Sequence, residues 1–147
     1  MDDEYKTLRL DNQLCFPLYL CSKEIIRKYT PYLNSLDLTY TQYIVMLYFF
    51  QNKTSNVRTL GKTLLLDSST LTPLLKRLEQ KGYIIRKRSK TDERNLNLSI
   101  TESGEKLIQK AKDIPECIYK QLGINEDESL ELYKILYKIL INLEKES

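Results

Sequence analysis

The stretch from residue 57 to residue 100 contains elements in an order that few folds can accommodate. Leu60 and Leu64 lie one turn apart in a short first helix, and a tight connection leads into a second helix over residues 68 to about 81. One side of the second helix carries four leucines at helical spacing, which we expect to be buried: Leu71, Leu74, Leu75 and Leu78. The spacing of these leucines predicts two short helices packed against each other.

A hairpin is predicted immediately after the second helix. Gly82 suits the left-handed residue that ends many helices, and residues 83–89 and 96–100 read as two strands joined by a turn. The polar residues 52–56, ahead of the first helix, read as a loop. Helix, turn, helix and hairpin together predict a mainly α fold with a small β-hairpin, arranged as a winged helix-turn-helix.

Two further helices are predicted ahead of this lobe. Asp11 or Asn12 can cap the first, and Pro31 marks its end. Its apolar positions have helical spacing: Leu14, Leu18, Ile25, Ile26 and Tyr29. Thr39 and Gln42 have the spacing of a capping box at the start of the next, strongly apolar helix.

A last helix is predicted from about residue 126 to residue 144. It carries two apolar stripes, Leu130, Tyr133, Tyr137 and Leu140 on one and Leu132, Ile135, Ile139 and Leu143 on the other. One buried stripe is enough for a helix in a monomer, so two stripes indicate that the first and last helices pack against a second copy in a two-fold dimer. The alternative is a helix sandwiched within its own domain. We expect one domain over residues 1–147, with dimerisation helices at about 11–36 and 102–145 around a lobe at about 40–100.

The chain lacks the residues that most enzyme and metal sites need. It has no histidine, which excludes Ser-His-Asp and Cys-His catalysis and histidine metal sites. Its four glycines are too far apart for a phosphate-binding loop, and its three cysteines form no CxxC pair. We therefore expect no catalytic residue, no metal and no cofactor.

Nothing in the sequence indicates a membrane span or an export signal. The longest apolar run, residues 43–50, is far short of the roughly 20 residues that span a bilayer. The acidic start, residues 1–4, lacks the basic-then-apolar layout of a signal peptide. An odd number of cysteines in such a chain indicates free thiols, and we expect a cytoplasmic protein.

Basic charge is concentrated around the second helix and the hairpin. The net charge is only +3, but residues 76–94 hold eight basic and three acidic side chains, so the rest of the chain is net negative. A basic hairpin alone is more often a solvated surface, whereas one that follows a helix-turn-helix favours double-stranded DNA. Short polar side chains can approach base edges in the major groove, while basic ones suit phosphates. The predicted DNA-binding residues are Asp67, Ser68, Ser69, Thr70, Thr72, Pro73, Lys76, Arg77, Arg86, Lys87, Asp92 and Arg94.

The same segment resembles the MarR family of dimeric winged-helix transcription regulators. Residues 66–77, LDSSTLTPLLKR, are close to that family's recognition helix, although relatives usually have glycine in place of Ser69. Residues 92–94 are similar to the Asp-x-Arg motif of its wing. The resemblance implies a homodimer on a palindromic operator, where Arg94 enters a narrow minor groove and Asp92 braces its guanidinium.

The N-terminal segment narrows the resemblance to the organic-hydroperoxide sensors, the OhrR branch, with its relatives MgrA and SarZ. Residues 10–16, LDNQLCF, carry this likeness. In that branch a cysteine of the first helix reacts with peroxide, which implies Cys15 here. Tyrosines assist that cysteine, which implies Tyr29 and Tyr40, with Tyr19 as a further neighbour.

The expected position of Cys15 suits this chemistry. Peroxides are attacked by the thiolate, and the free backbone N–H groups at a helix start favour an anion. Hydrogen bonds from Tyr29 and Tyr40 would stabilise the thiolate further, and oxidation would give a sulfenic acid. Pro17, where relatives usually have a small or apolar residue, would remove a backbone hydrogen bond and tilt this helix. The alternative is that Cys15 is a small buried hydrophobic residue.

The other two cysteines differ in what they can do. Cys21 lies six residues beyond Cys15, about 9 Å of helical rise, which is too far for a disulfide. Some members of the resembling branch have a resolving cysteine near the junction of the last two helices, which reaches the reactive cysteine of the other subunit. Cys117 lies in about that region. Two alternatives stay open for it, an intersubunit disulfide and a bystander thiol.

Residue pattern and resemblance together predict a redox-sensing DNA-binding regulator, a repressor, that leaves its operator when organic hydroperoxide oxidises Cys15. One alternative is a MarR-type regulator that responds to a phenolic or other small-molecule ligand. Another is a broader oxidation-responsive regulator similar to MgrA and SarZ. A thiol peroxidase is the enzymatic alternative, and the basic hairpin argues against it because a peroxidase has no use for one.

Overall fold

The computed structural model describes residues 3–91 and 96–145. Within these ranges the α-helices are α1 (Cys15–Asn34), α2 (Tyr40–Asn52), α3 (Val57–Leu64), α4 (Ser68–Gln80), α5 (Glu102–Gln109), α6 (Ile114–Leu122) and α7 (Glu126–Lys145). The strands are β1 (Thr54–Asn56), β2 (Ile84–Arg88) and β3 (Leu96–Ile100). Two 3-10 turns, Asp3–Leu8 and Leu10–Asn12, precede α1. The chain divides into two compact units, Met1–Ile114 and Pro115–Ser147.

Helix α1 begins later than the sequence predicts. Its first residue is Cys15, and no side chain caps it. The expected caps lie in the preceding 3-10 turn, where Asp11 Oδ2 is 2.8 Å from Arg9 Nη2 and Asn12 Nδ2 donates to the Lys6 carbonyl at 2.7 Å. The prediction of a cap at Asp11 or Asn12 is therefore wrong, because both side chains are satisfied close to their own turn.

The two prolines of α1 also differ from expectation. Pro17 is the third residue of the helix, where the backbone N–H would have no intrahelical partner, so it removes no hydrogen bond. Pro31 lies inside the helix, which continues to Asn34, so the expectation that Pro31 ends it is wrong. Pro31 removes the bond that would reach the Arg27 carbonyl. Burial of Leu33, which is 2 % exposed, holds the last turn in place.

Helix α2 runs through the core of the first unit. Its predicted capping box is confirmed, because Gln42 N–H donates to Thr39 Oγ1 at 3.2 Å and Thr39 N–H donates to Gln42 Oε1 at 3.0 Å. Behind this cap the helix buries four large apolar side chains: Tyr43, Val45, Met46 and Phe49. Helices α1 and α5 and strands β1 and β3 contact α2, so this helix joins α1 to the sheet.

The helix-turn-helix of α3 and α4 is confirmed. The four leucines expected on the inner side of α4 are all buried: Leu71, Leu74, Leu75 and Leu78. In the turn, Leu65 adopts the left-handed conformation with φ 52°. Gly61 allows the chain to pass close by, since a Cβ there would lie 2.8 Å from the Leu66 carbonyl oxygen. Gly82 has φ 78° just after α4, as its helix-ending role requires.

The hairpin of β2 and β3 is also confirmed, but the sheet has a third strand. Strand β3 is central and pairs antiparallel with both β2 and β1. Residues 54–56, expected as a loop, form β1, in which Thr54 is paired with Ser99 and Asn56 with Asn97. The polar composition of residues 54–56 does not indicate a strand. They form one because they pair with β3, which lies far along the chain.

Helix α7 has no buried residue. All eight stripe residues predicted from the sequence are exposed, from 38 % for Ile139 and Leu140 to 60 % for Tyr133. This exposure does not support the alternative of a helix sandwiched within its own domain. Apolar side chains at and before the start of α1 are exposed as well: Leu8, Leu10, Leu14, Leu18 and Tyr19.

Among the described residues, no helix combines the length and the apolar character that crossing a membrane requires.

Candidate nucleic-acid interface and thiol site

The exposed side of α4 presents the short polar residues expected to meet base edges. Ser68, Ser69, Thr70 and Thr72 are all exposed. Asp67 caps the helix, where its Oδ1 accepts from the Ser69 hydroxyl at 2.6 Å and from the Thr70 N–H at 2.8 Å. These hydrogen bonds lower the pKa of Asp67, the one from the Ser69 hydroxyl more than the one from the Thr70 N–H. Asp67 therefore orients Ser69 at the start of α4 while the lone pairs of the Ser69 hydroxyl stay open to a donor.

Pro73 lies in the second turn of α4 without ending the helix, which continues to Gln80. Because proline has no N–H, the Ser69 carbonyl lacks its usual helical donor. Both Ser69 and Pro73 are exposed. The proline thus leaves one backbone acceptor on the side of α4 that also carries the polar side chains.

Part of the basic surface is neutralised within the chain. Lys76 and Arg77 are exposed on α4 and form no ion pair with any described residue. Lys81, just after α4, is instead bound to the turn between α1 and α2, with its Nζ 3.1 Å from Asp37 Oδ2. The two unpaired cations are therefore the residues of α4 best suited to phosphates.

The hairpin is attached to α4 by an ion pair that the sequence did not reveal. Arg86 Nε donates to Glu79 Oε2 at 2.6 Å, and the Arg86 side chain is only 21 % exposed. Arg86 therefore serves to hold β2 against the end of α4 in the free chain, whereas Lys87 beside it is exposed. Asp92 and Arg94, predicted at the tip of the hairpin, lie outside the described residues.

Cys15 is a free, exposed cysteine at the N-terminal end of α1. The first backbone N–H groups of a helix have no intrahelical acceptor, and the helix dipole there favours an anion. Tyr19, 61 % exposed, lies one turn further along the same side of α1. The exposure of Cys15 in this chain does not support the alternative that it is a small buried hydrophobic residue.

Tyr29, Tyr40 and Tyr43 form a compact group, which we call the tyrosine cluster. The Tyr29 and Tyr40 rings meet edge to face with centroids 5.0 Å apart, and the Tyr43 centroid is 5.7 Å and 6.2 Å from theirs. Burial raises the pKa of all three hydroxyls, and the neighbouring hydroxyls raise those of Tyr29 and Tyr43 further, that of Tyr43 to about 12. All three are therefore protonated donors at neutral pH. The sequence pointed to Tyr29 and Tyr40 but not to Tyr43, whose spacing marks it only as core.

The tyrosine cluster does not reach Cys15 of its own chain. Cys15 and Tyr29 belong to one continuous helix and are fourteen residues apart, which corresponds to a rise of about 21 Å. A hydrogen bond spans about 3 Å. The thiol and the tyrosine cluster can therefore meet only if the cluster comes from another copy of the chain.

The remaining two cysteines are free thiols in different settings. Cys21 is exposed on α1, about 9 Å of rise beyond Cys15, so no disulfide joins these two within the helix. Cys117 is a half-buried free thiol on α6, and its carbonyl accepts from Gln121 Nε2 at 3.2 Å. In the described ranges, His, Cys, Asp and Glu form no group of three or more that could hold a metal ion.

Comparison with known proteins gives consistent likenesses. The family model for the transcriptional regulator SarA/Rot matches residues 27–111. The HTH-type transcriptional regulator SarZ of Staphylococcus haemolyticus is 46 % identical over 133 residues, 90 % of this chain and 90 % of that protein. The organic hydroperoxide resistance transcriptional regulator of Bacillus subtilis is 42 % identical over 150 residues, 100 % of each chain.

Solved structures show the same likeness. Overoxidized AbfR bound to DNA is 33 % identical to this chain, with a TM-score of 0.77 and coverage of 95 % of this chain and 98 % of the other. AbfR comes from Staphylococcus epidermidis, and its reduced form is also known in complex with DNA. The likenesses in sequence and in structure both extend over nearly the whole chain.

Proposed function

The chain belongs to the SarA/Rot family of transcriptional regulators, and we propose that it binds a palindromic operator as a homodimer and releases it when an organic hydroperoxide oxidises Cys15. The observation that carries this proposal is the exposed Cys15 thiol at the start of α1. Tyr29 lies about 21 Å further along the same helix, so the tyrosine that assists this thiol would come from a second copy of the chain. The B. subtilis relative, named for organic hydroperoxide resistance, supports this signal. Because the relatives are transcriptional regulators, the thiol peroxidase alternative loses support.

Helix α4 is the element that would enter the major groove. Its exposed side combines short polar groups with Lys76 and Arg77, and the leucines on its other side fix it to the core. The hairpin, held to α4 by Arg86 and Glu79, would follow the backbone into the adjacent minor groove, with Arg94 at its tip. A regulator that works on chromosomal DNA in this way would act in the cytoplasm.

A second copy is needed to complete both surfaces. Helix α7 leaves the eight residues of its two apolar stripes uncovered, and the first turns of α1 leave several more apolar residues exposed. A two-fold dimer that buries these faces, through helices at about 11–36 and 102–145, would place two α4 helices about one DNA turn apart, as a palindrome requires. The same dimer can bring Cys15 of one subunit to Tyr29 and Tyr40 of the partner subunit.

The sensing step is a two-electron oxidation of sulfur. The Cys15 thiolate attacks the terminal oxygen of the hydroperoxide, the O–O bond breaks, and the alkoxide leaves and takes a proton from water to become the alcohol. The sulfur becomes a sulfenic acid. The backbone N–H groups at the helix start and the protonated hydroxyls of the partner's Tyr29 and Tyr40 would donate hydrogen bonds to the sulfur.

Helix α2 provides the mechanical connection from thiol to DNA. Tyr40 is its first residue, and its buried side contacts α5, β1 and β3. A change at the tyrosine cluster is therefore applied to the helix on which the DNA-binding lobe is built. Since the two α4 helices must match fixed half-sites, a small rotation of each lobe is enough to weaken binding.

An electrophoretic shift assay with a palindromic operator tests the proposal. Wild-type protein should leave the DNA after treatment with cumene hydroperoxide, whereas Cys15→Ser should bind and ignore it. Cys21→Ser is the matched control, since Cys21 is exposed on the same helix, and it should respond like wild type. Peroxide-driven release of Cys15→Ser would refute the mechanism.

The role of Cys117 needs a separate test. Since overoxidized AbfR is known bound to DNA, each oxidation product of Cys15 should be assayed on its own. Under non-reducing conditions, mass spectrometry of peroxide-treated protein should show a covalent dimer if Cys117 is the resolving cysteine. If Cys117→Ser still forms that dimer, Cys117 is a bystander thiol.

A ligand-responsive regulator is the second outcome of these experiments. Thermal stabilisation by salicylate-like phenols that persists in Cys15→Ser would favour it over peroxide sensing. Binding of this kind would leave the DNA-binding part of the proposal unchanged.

A further inference from the structure

The innermost member of the tyrosine cluster has a hydroxyl with no hydrogen-bond partner. Tyr43 is 2 % exposed, and its hydroxyl is the only buried side-chain oxygen or nitrogen in the described ranges that lacks a partner. Tyr48, on the same helix, shows the usual arrangement, in which the hydroxyl pairs with Ser55 Oγ at 3.1 Å. Leaving a buried hydroxyl unpaired is unfavourable, and phenylalanine would fill the same space without this penalty.

The surroundings of the Tyr43 hydroxyl indicate what could satisfy it. Its ring centroid is 5.7 Å from that of Tyr29 and 6.2 Å from that of Tyr40, the two residues expected to bind a thiolate. Burial raises the pKa of Tyr43 most, and the neighbouring Tyr29 and Tyr40 raise it further, in agreement with the packing of the three rings. Three neighbouring phenols, each a protonated donor, are suited to an acceptor that carries negative charge.

We propose that the Tyr43 hydroxyl donates a hydrogen bond to the oxygen that oxidation adds to Cys15 of the partner subunit. This inference rests on the proposed function and extends it from the reduced to the oxidised thiol. Tyr29 and Tyr40, which are only half-buried, would bind the sulfur in the reduced state. The added oxygen of the sulfenic acid would then extend inward to Tyr43, whose hydroxyl is unpaired until that moment.

The position of Tyr43 explains how such a bond would be transmitted. Tyr43 belongs to the buried part of α2, as do Val45 and Met46. Met46 in turn approaches Gly104 of α5, where its Cε would be 3.0 Å from a Cβ placed on that glycine. A pull on the Tyr43 hydroxyl therefore acts on the packing between α2 and α5, next to the base of the hairpin.

The variant Tyr43→Phe tests this inference, with Tyr48→Phe as the matched control. We expect Tyr43→Phe to melt at or above the wild-type temperature and to bind the operator in the reduced state within about twofold of wild type. Its Cys15 should still form a sulfenic acid with cumene hydroperoxide, detected by dimedone labelling and mass spectrometry. At the same fraction of sulfenic acid, operator affinity should nevertheless fall at least tenfold less than it does in wild type. Tyr48→Phe should lose stability, because it breaks the bond to Ser55, and should keep the peroxide response.

Two results would overturn the inference. One is that Tyr43→Phe releases DNA at the same fraction of sulfenic acid as wild type. The other is that it melts below wild type, which would show that the hydroxyl is already bonded in the resting dimer. Failure of the proposed function would give different results from failure of this inference. In that case either the wild type would stay on the operator after hydroperoxide treatment, or Cys15→Ser would be released by it.

Discussion

Substitution of Gly104 by alanine should destabilise the junction of α5 with the base of the hairpin. A Cβ at this buried position would lie 2.3 Å from the Tyr83 carbonyl oxygen, 2.9 Å from Ile100 Cγ1 and 3.0 Å from Met46 Cε. The carbonyl is the severe contact, because it is backbone and already accepts the Thr101 N–H at 3.0 Å. It would have to retreat by roughly 0.7 Å merely to reach the closest separation that real Cβ atoms show.

The magnitude follows from two opposing effects. Overpacking of this kind typically costs about 1–3 kcal/mol, and backbone that cannot rotate away places Gly104 toward the upper end. Alanine in a helix recovers about 0.5–1 kcal/mol relative to glycine. We expect a net loss of about 2 kcal/mol in the free energy of unfolding, which for a chain of this size lowers the melting temperature by about 6 °C.

Urea denaturation of Gly104→Ala, with Ser103→Ala as the control variant, tests the predicted loss of stability. Ser103 is exposed on the same helix, so its replacement should change the midpoint little, while Gly104→Ala should lower the midpoint at an unchanged slope. The shifted Tyr83 carbonyl should also weaken operator binding, because it directly precedes β2. A Gly104→Ala protein as stable as wild type would refute the packing argument.

Three further predictions concern charged groups. A double-mutant cycle of Glu79→Ala and Arg86→Ala should give a coupling of about 1 kcal/mol in unfolding, since the pair is partly exposed; a coupling near zero would contradict the attachment of the hairpin to α4. Lys76→Ala should reduce the slope of log K against log salt by about 2 in a dimer with two copies, unlike Lys112→Ala, which is exposed outside α4; equal slopes would remove Lys76 from the interface. Since hydrogen bonds lower the folded pKa of Asp67, its charge stabilises the protein above about pH 4, the unfolded value. Above this pH the urea midpoint of the wild type should therefore exceed that of Asp67→Asn. The difference between the two midpoints should vanish as the pH falls through the folded pKa of Asp67, and a difference that does not depend on pH would contradict the prediction.

Short-range pattern was sufficient for much of the DNA-binding lobe. The leucines of α4 are buried because their spacing leaves them on one side of a helix. The capping box of Thr39 and Gln42 forms because the residues three apart at a helix start satisfy each other. Gly82 takes a positive φ because glycine does so without a steric penalty.

The failures at the start of α1 show where local pattern runs out. Asp11 and Asn12 are good caps in principle, but a preceding 3-10 turn engages both. Pro31 is a good helix breaker in principle, but the buried Leu33 beyond it keeps the helix intact to Asn34. In both cases a competing contact, rather than intrinsic preference, decided the outcome.

The sequence by itself determined the DNA-binding lobe, because its hydrophobic spacing, helix caps and glycines all indicate the same elements. It also contained the N-terminal motif that pointed to Cys15. The tertiary structure alone decided which side chains meet. Lys81 with Asp37, β1 with β3, and the clustering of Tyr43 with Tyr29 and Tyr40 all join residues distant along the chain or on different helices. Helix spacing acts over a few residues, whereas these contacts depend on how whole elements pack, which is why the sequence could propose the tyrosines yet only the structure could place them beyond reach of their own chain's thiol.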